Sequence, residues 1–319
     1  MPPENPIFGF SNQKRMRREI TGALGLGFAV IFVLLTTCGH KVREQQMEEL
    51  VPREEVQHYY RSPEIPDSLF FMGERVPLER FDVLENLERE LLSNSYFHSQ
   101  TIRLIKLAPR YFSIIDPILE EEGIPADMRY LAVAESSLNP KALSPAGAAG
   151  LWQFMKGTAG EYGLEVNSEV DERYHIEKAT RAACRYLKRN YTKYGSWAMV
   201  AAAYNAGPGS VDRQVERQKT SGYFDLLMAE ETERYVYRIL SFKVILEDPL
   251  RYGFLVSDEE KYPLLKSREV EIAGALANLT DFAKGYGITY KTLKYYNPWL
   301  RENVLTNKAG KRYLVKIPE

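Results

Sequence analysis

The stretch "AVAESSLNPKALSPAGAAGLWQFM", Ala132 to Met155, sets a carboxylate where the local pattern calls for an apolar residue. Glu135 follows Leu131 by four residues and Met128 by seven, so a helix stacks all three on one face. That helix opens near Pro125, a favoured first-turn residue, and must stop near Asn139–Pro140, because proline restricts its predecessor and cannot extend a helix. Glu135 therefore falls near the last turn, on the inward stripe, beside the partial negative charge of the helix end. Burial and the helix end both disfavour a carboxylate, so both raise its proton affinity. A general acid working near neutral pH needs that shift, and glycoside cleavage uses carboxylic acids in this way. The residues alone leave two readings open: a catalytic acid, or a buried structural glutamate satisfied by an arginine such as Arg129.

Downstream, "SPAGAAGLWQFM" places Gly147 and Gly150 among small residues in a tight loop, where another stretch of chain can approach closely. Gln153 follows as a neutral donor and acceptor of the type that reads acetamido and hydroxyl groups. Further on, "AAAYNAGPG", Ala201 to Gly209, ends a small-residue helix on Tyr204 and Asn205. These two are its only sizeable polar groups, a ring for stacking and an amide for hydrogen bonding. The alternative is that Asn205 caps the helix and Tyr204 fills core.

Together Glu135 with Ser136, Ser144 nine residues further on, "GLWQFM", "AYNAGPG" and "ETERYV" (Glu231 to Val236) resemble the lytic transglycosylases of the soluble-lytic-transglycosylase type. "DERYHIEKATRAACRYL", Asp171 to Leu187, and Trp152 resemble the membrane-bound D subgroup. The resemblance implies a lysozyme-like all-α catalytic domain that cleaves the β-1,4 bond between N-acetylmuramic acid and N-acetylglucosamine in peptidoglycan. Glu135 would match the sole catalytic acid/base, and the product would be a 1,6-anhydro sugar formed without water. Ordinary glycosidases set two carboxylates across the bond. Here the substrate's own acetamido group would stand in for the second, and no other acid is expected near the Glu135 motif. Ser136, Ser144, Gln153, Tyr204 and Asn205 would contact substrate, while Glu231 and Tyr235 would close the site around Glu135. Two rivals are a hydrolytic muramidase on the same fold and a non-catalytic peptidoglycan-binding envelope protein.

Outside this centre the helical signals continue from about Thr101 to Leu250, and alternating strands are hard to find, so the class is mainly α. After that, "VEIAGALANLTDFAKGYGITYKTLKYYNPWL" and the terminal "RYLVKIPE" predict a small β-α-α-β unit, opened by Arg268 to Val270 and closed by Tyr313 to Ile317. It resembles a LysM module, which implies binding to N-acetylglucosamine chains. The usual Gly–Asp–Thr near its start is replaced by Leu276, Ala277 and Asn278. Upstream, "FDVLENLERELLSNS" spaces Phe81, Leu84, Leu87 and Leu91 as an amphipathic helix, a packing extension of the domain that follows.

"KRMRR" (Lys14 to Arg18) precedes a run without charge from Ile20 to Cys38, the pattern of an export signal or of a retained span. "LTTC" loosely resembles a lipoprotein box with Cys38 lipidated; the competing reading is a transmembrane anchor. Either one exports the rest of the chain to the periplasmic side of a bacterial envelope and ties it to the membrane. The expected domains are 1–40 anchor, 41–100 helical extension, 101–253 catalytic domain, 254–267 linker and 268–319 LysM-like module. With 42 basic against 43 acidic residues the chain has no cationic excess to advertise a nucleic-acid partner. The cysteines Cys38 and Cys184 and the scattered histidines His40, His58, His98 and His175 lack ligand spacing, so neither a metal nor another cofactor is expected. A Cys38–Cys184 disulfide is conceivable only if Cys38 keeps a free thiol. A monomer acting on peptidoglycan strands is the expected state.

Overall fold

The computed structural model describes residues 61–319. The basic and apolar N-terminal run, Cys38 and the front of the expected extension lie outside the described residues. Among the described residues no helix is long and apolar enough to cross a membrane.

The first element of the described residues is a two-stranded hairpin, β1 (Phe70–Phe71) and β2 (Glu74–Arg75). The turn residues Met72 and Gly73 both have positive φ, 54° and 83°, as a tight hairpin demands. Eight α-helices follow: α1 (Phe81–Tyr96), α2 (His98–Glu121), α3 (Arg129–Ser136), α4 (Lys156–Glu161), α5 (Ile176–Tyr194), α6 (Trp197–Ala206), α7 (Pro208–Gln218) and α8 (Glu230–Glu247). α6 forms the centre. Its residues from Trp197 to Ala203 are all buried, and the alanines let α5, α7 and α8 close around it. Glu74 of the hairpin accepts hydrogen bonds from Ser196 Oγ and the Trp197 amide, holding the start of α6.

α1 packs on α8, as an extension of the helical body should, but on a different stripe from the one its spacing suggests. Val83, Leu87 and Leu91 are buried, whereas Phe81 is 75% exposed. The turn between Leu87 and Leu91 also buries Glu90, at 2% exposure. Cys184 of α5 is a free thiol with no exposed surface, set in the core between α5 and its neighbours.

The last unit is β3 (Ser267–Ile272), α9 (Leu279–Gly285), α10 (Tyr290–Tyr296) and β4 (Tyr313–Pro318). The strands pair antiparallel with Val270 opposite Val315, the predicted β-α-α-β order. Its own small core holds Ile272, Leu279, Leu293, Trp299, Val315 and Ile317, and it also takes in Ala149, Val170 and Tyr174 of the helical body. The segment before it is pinned as well: Tyr262 N–H donates to Lys106 O at 2.8 Å, and Arg110 Nε to Pro263 O at 2.9 Å. Residues 62–319 form one compact unit.

Candidate active site

α3 is only eight residues long, and it ends before the proline is reached. Ser137 and Leu138 both adopt left-handed backbone, φ 51° and 54°, which residues with a Cβ adopt at a cost. Leu138 is fully buried, and that packing holds the turn. The abrupt stop leaves Glu135 one residue from the end of α3, partly buried and within reach of α8. Met128 and Leu131, on the same face, are completely buried.

Tyr235 of α8, itself buried, donates its hydroxyl to Glu135 Oε1 at 2.5 Å. Burial pushes the Glu135 carboxyl up to about 7. The Tyr235 hydrogen bond and the Arg238 charge pull in the other direction, and the Glu231 charge adds to the rise. Arg129 plays no part in this. It pairs with Asp116 at 2.8 Å and donates to the Tyr130 hydroxyl at 3.0 Å.

Glu231, Tyr235 and Arg238 lie four and three residues apart, on one face of α8. Glu231 is exposed and its carboxylate meets Arg238 Nη1 at 3.3 Å. Glu231 is therefore an acid whose charge acts on Glu135, and it is held by an arginine. Arg238 also faces Glu90 of α1 at 3.5 Å, and Arg234 meets the same carboxylate at 2.6 Å. Sequence reasoning passed over Arg238, although its place seven residues after Glu231 and three after Tyr235 marks it as sharing their face. Glu90 carries no comparable signal, because a glutamate on an amphipathic helix is ordinarily solvated.

Gln153, Tyr204 and Asn205 line one groove of about 680 Å³, together with Tyr162, Tyr186 and Asn190. Tyr204 donates its hydroxyl to Trp152 O at 2.7 Å and packs its ring against Tyr186 and Phe154. Negative charge on Glu135 and burial together keep the Tyr204, Tyr186 and Tyr235 phenols neutral by raising their pKa values, burial being the larger cause. Asn205 accepts at Oδ1 from Thr232 Oγ1 at 2.9 Å, which fixes the amide plane and leaves its nitrogen as the donor on offer. Gly207, not Asn205, caps α6. Thr232 is a further residue the sequence reading missed.

Gln153 sits at positive φ, 48°, and its Nε2 donates to Gly150 O at 2.8 Å, so Oε1 remains to accept. Ser144 Oγ accepts from Ala148 N–H at 3.0 Å and shapes the loop ahead of Gln153. Ser136 is buried, and its hydroxyl donates back to Ala132 O at 3.0 Å. The structure thus brings Glu135, Tyr235 and Glu231 together and sets Tyr204 against them. Gln153 and Asn205 share the adjoining groove, Ser144 stays in the loop, and Ser136 turns into its own helix.

The loop is held from behind. Arg173 makes a two-pronged contact with Asp171, at 2.9 and 2.7 Å, and donates to Gly147 O at 2.8 Å and Phe154 O at 3.1 Å. Gly150, φ 80°, lies so close that a Cβ on it would fall 1.8 Å from Arg173 O. Among the described residues no group of His, Cys, Asp and Glu side chains converges to hold a metal.

Residues 114–226 match the Transglycosylase SLT domain, and residues 268–319 match the Soluble lytic transglycosylase C-terminal LysM-like domain. Over 257 residues the chain is 28% identical to membrane-bound lytic murein transglycosylase D of Escherichia coli strain K12, covering 78% of this chain and 55% of that protein. Over 121 residues it is 31% identical to the soluble lytic murein transglycosylase of the same strain, covering 35% of this chain and 19% of that one. The chain spans about half the length of the first of these relatives. Among solved structures, the lytic transglycosylase Slt of Pseudomonas aeruginosa aligns over 48% of this chain and 26% of its own, at 24% identity and a TM-score of 0.38.

Proposed function

We propose that this chain, which carries a transglycosylase SLT domain and a LysM-like domain and is homologous to membrane-bound lytic murein transglycosylase D, is a peptidoglycan lytic transglycosylase. The observation that carries the reading is the Glu135 carboxyl, raised to about 7 by burial yet still reachable, under the Tyr235 hydroxyl and beside Tyr204.

In the first step Glu135 gives its proton to the glycosidic oxygen as the bond from that oxygen to C1 of N-acetylmuramic acid breaks. The substrate's 2-acetamido group carries the positive charge that develops at C1. The Glu135 carboxylate then takes the proton of the C6 hydroxyl, and that oxygen attacks C1 to close the 1,6-anhydro ring. One side chain gives and regains one proton. Tyr235 orients the carboxyl and favours its ionised form between the two steps. Tyr204 and Gln153 form the floor and wall of the sugar groove, and Asn205 donates into it. Ser144 shapes the loop, Glu231 and Arg238 set the field at the carboxyl, and Ser136 belongs to the α3 terminus.

The reading keeps 101–253 as the catalytic domain, 254–267 as the connecting segment and 268–319 as the module, with 41–100 as an extension that supplies Glu90. Residues 1–40 would tie the enzyme to the envelope membrane, through a lipidated Cys38 or a single span, with the enzyme facing the periplasm as a monomer.

Glu135→Gln preserves size and polarity. Mass spectrometry of purified glycan strands treated with the wild-type enzyme should show anhydro-muramic ends, and with Glu135→Gln almost none. Reducing muramic ends would instead mean hydrolysis, and undiminished cleavage by the variant would remove Glu135 from the chemistry.

A further inference from the structure

We infer that the LysM-like module positions the active-site loop through the Asp171–Arg173 pair. Only the activity readout of this inference depends on the proposed function.

The module meets the helical body chiefly along residues 165–177, where nearly every second residue takes part, and Tyr295 adds contacts to Arg110 and Lys141. Lys311 Nζ and the Tyr313 hydroxyl reach Glu165 at 2.8 and 3.1 Å. Thr306 donates its amide and hydroxyl to the Glu169 carboxylate at 2.7 and 3.1 Å. Arg301 N–H donates to Glu169 O at 2.7 Å, Val170 pairs with Leu300, and Asp171 N–H donates to Trp299 O at 2.9 Å. Two ring contacts follow: the Arg301 guanidinium lies 4.2 Å from the centre of the Tyr174 ring, and the Trp299 indole stacks on His175 at 5.6 Å. Lys316 closes the seam on Glu177. A module that served only as a tethered sugar binder would need none of this.

The same segment holds the loop on its other side. Asp171 and Arg173 are both buried, at 6% and 8% exposure, and the arginine's fork is used on the Asp171 carboxylate and on the Gly147 and Phe154 carbonyls. A buried guanidinium satisfied in this way has little freedom to move, because any shift leaves charge or donors unpaired. Gly150 rests directly on the Arg173 carbonyl. Gln153, which lines the sugar groove, is bonded to Gly150. The position of Gln153 is therefore set by Arg173, that of Arg173 by Asp171, and the Asp171 backbone by Trp299 of the module. Leu276–Ala277–Asn278, which stands in place of Gly–Asp–Thr, is used within the module: Leu276 pairs with Leu305, and Asn278 caps α9 with its side chain.

The test uses the full chain. Glu169→Ala with Arg301→Ala loosens the seam at positions remote from Glu135 and the groove, and Arg173→Gln cuts the pair itself. Backbone amide exchange in residues 147–154 should rise about tenfold or more in both, kcat on glycan strands should fall about five- to tenfold, and KM should stay within about twofold. Arg173→Lys, which keeps the charge but not the fork, should recover only part of kcat. Unchanged exchange with unchanged kcat in the Glu169/Arg301 double variant would overturn the inference. So would a rise in KM alone, which would mark the module as a glycan tether. If Glu135→Gln stays active, the proposed function falls, while the exchange measurement still decides the positioning role.

Discussion

Three neighbours act on the Glu135 carboxyl against a background of burial. Tyr235 and Arg238 favour its ionised form, Glu231 its neutral form, and burial outweighs them to leave the group near 7. The acid must be protonated to start the reaction, so kcat/KM falls as pH rises through about 7, and Glu135 contributes no limb near the ordinary glutamate value of 4.5. Tyr235→Phe removes a hydrogen bond that stabilises the charged form. The alkaline limb of the pH–rate profile should then move to higher pH; a limb that moves down would contradict the arrangement. The position of Glu135 was legible in the sequence because a carboxylate four residues after Leu131 breaks an apolar stripe. Its partners were less so. Tyr235 came only through resemblance, Arg238 shares its face three residues on, and Thr232 is chosen by how α8 meets α6 at Asn205, which no local pattern encodes.

Among the elements, the loop 147–154 is the one most constrained by a single atom position. Adding a methyl group at Gly150 drives a Cβ into the Arg173 carbonyl and requires φ +80° from a residue that resists it. Gly150→Ala should cost about 2–4 kcal/mol by chemical denaturation, against a near-neutral Gly157→Ala, which meets open space. The two small glycines of this loop announced a close approach in the sequence; what approaches, Arg173, did not. α2 teaches the opposite lesson about local signals. Pro109 and Pro117 lie inside it, where intrinsic preference says stop, yet Leu104, Ala108, Tyr111, Ile115 and Leu119 bury one face against the body and keep it continuous. α1 shows why a stripe can be read one step off. Phe81 belongs to the right spacing, but the helix turns Val83, Leu87 and Glu90 inward, since the Glu90 carboxylate finds Arg234 and Arg238 waiting.

At the scale of the molecule, the seam along residues 165–177 joins two folds that the sequence presents as separate. The β-α-α-β order of the module was readable, with Arg268 to Val270 opening the sheet and Tyr313 to Ile317 completing it. The union of the two folds was not, because its partners are backbone groups and lone side chains scattered from Glu165 to Glu177. Calorimetry should give one cooperative transition for the helical body and module together. Two separated transitions would mean that the seam is too weak to couple them. Cys184 offers a way to watch that event. Its thiol is enclosed on α5, and burial pushes it up to about 12, so almost no thiolate forms at neutral pH and no reagent can reach it in the native state. A maleimide dye would attach there only in molecules that have opened, which turns one silent sulfur into a clock for how often the whole body comes apart.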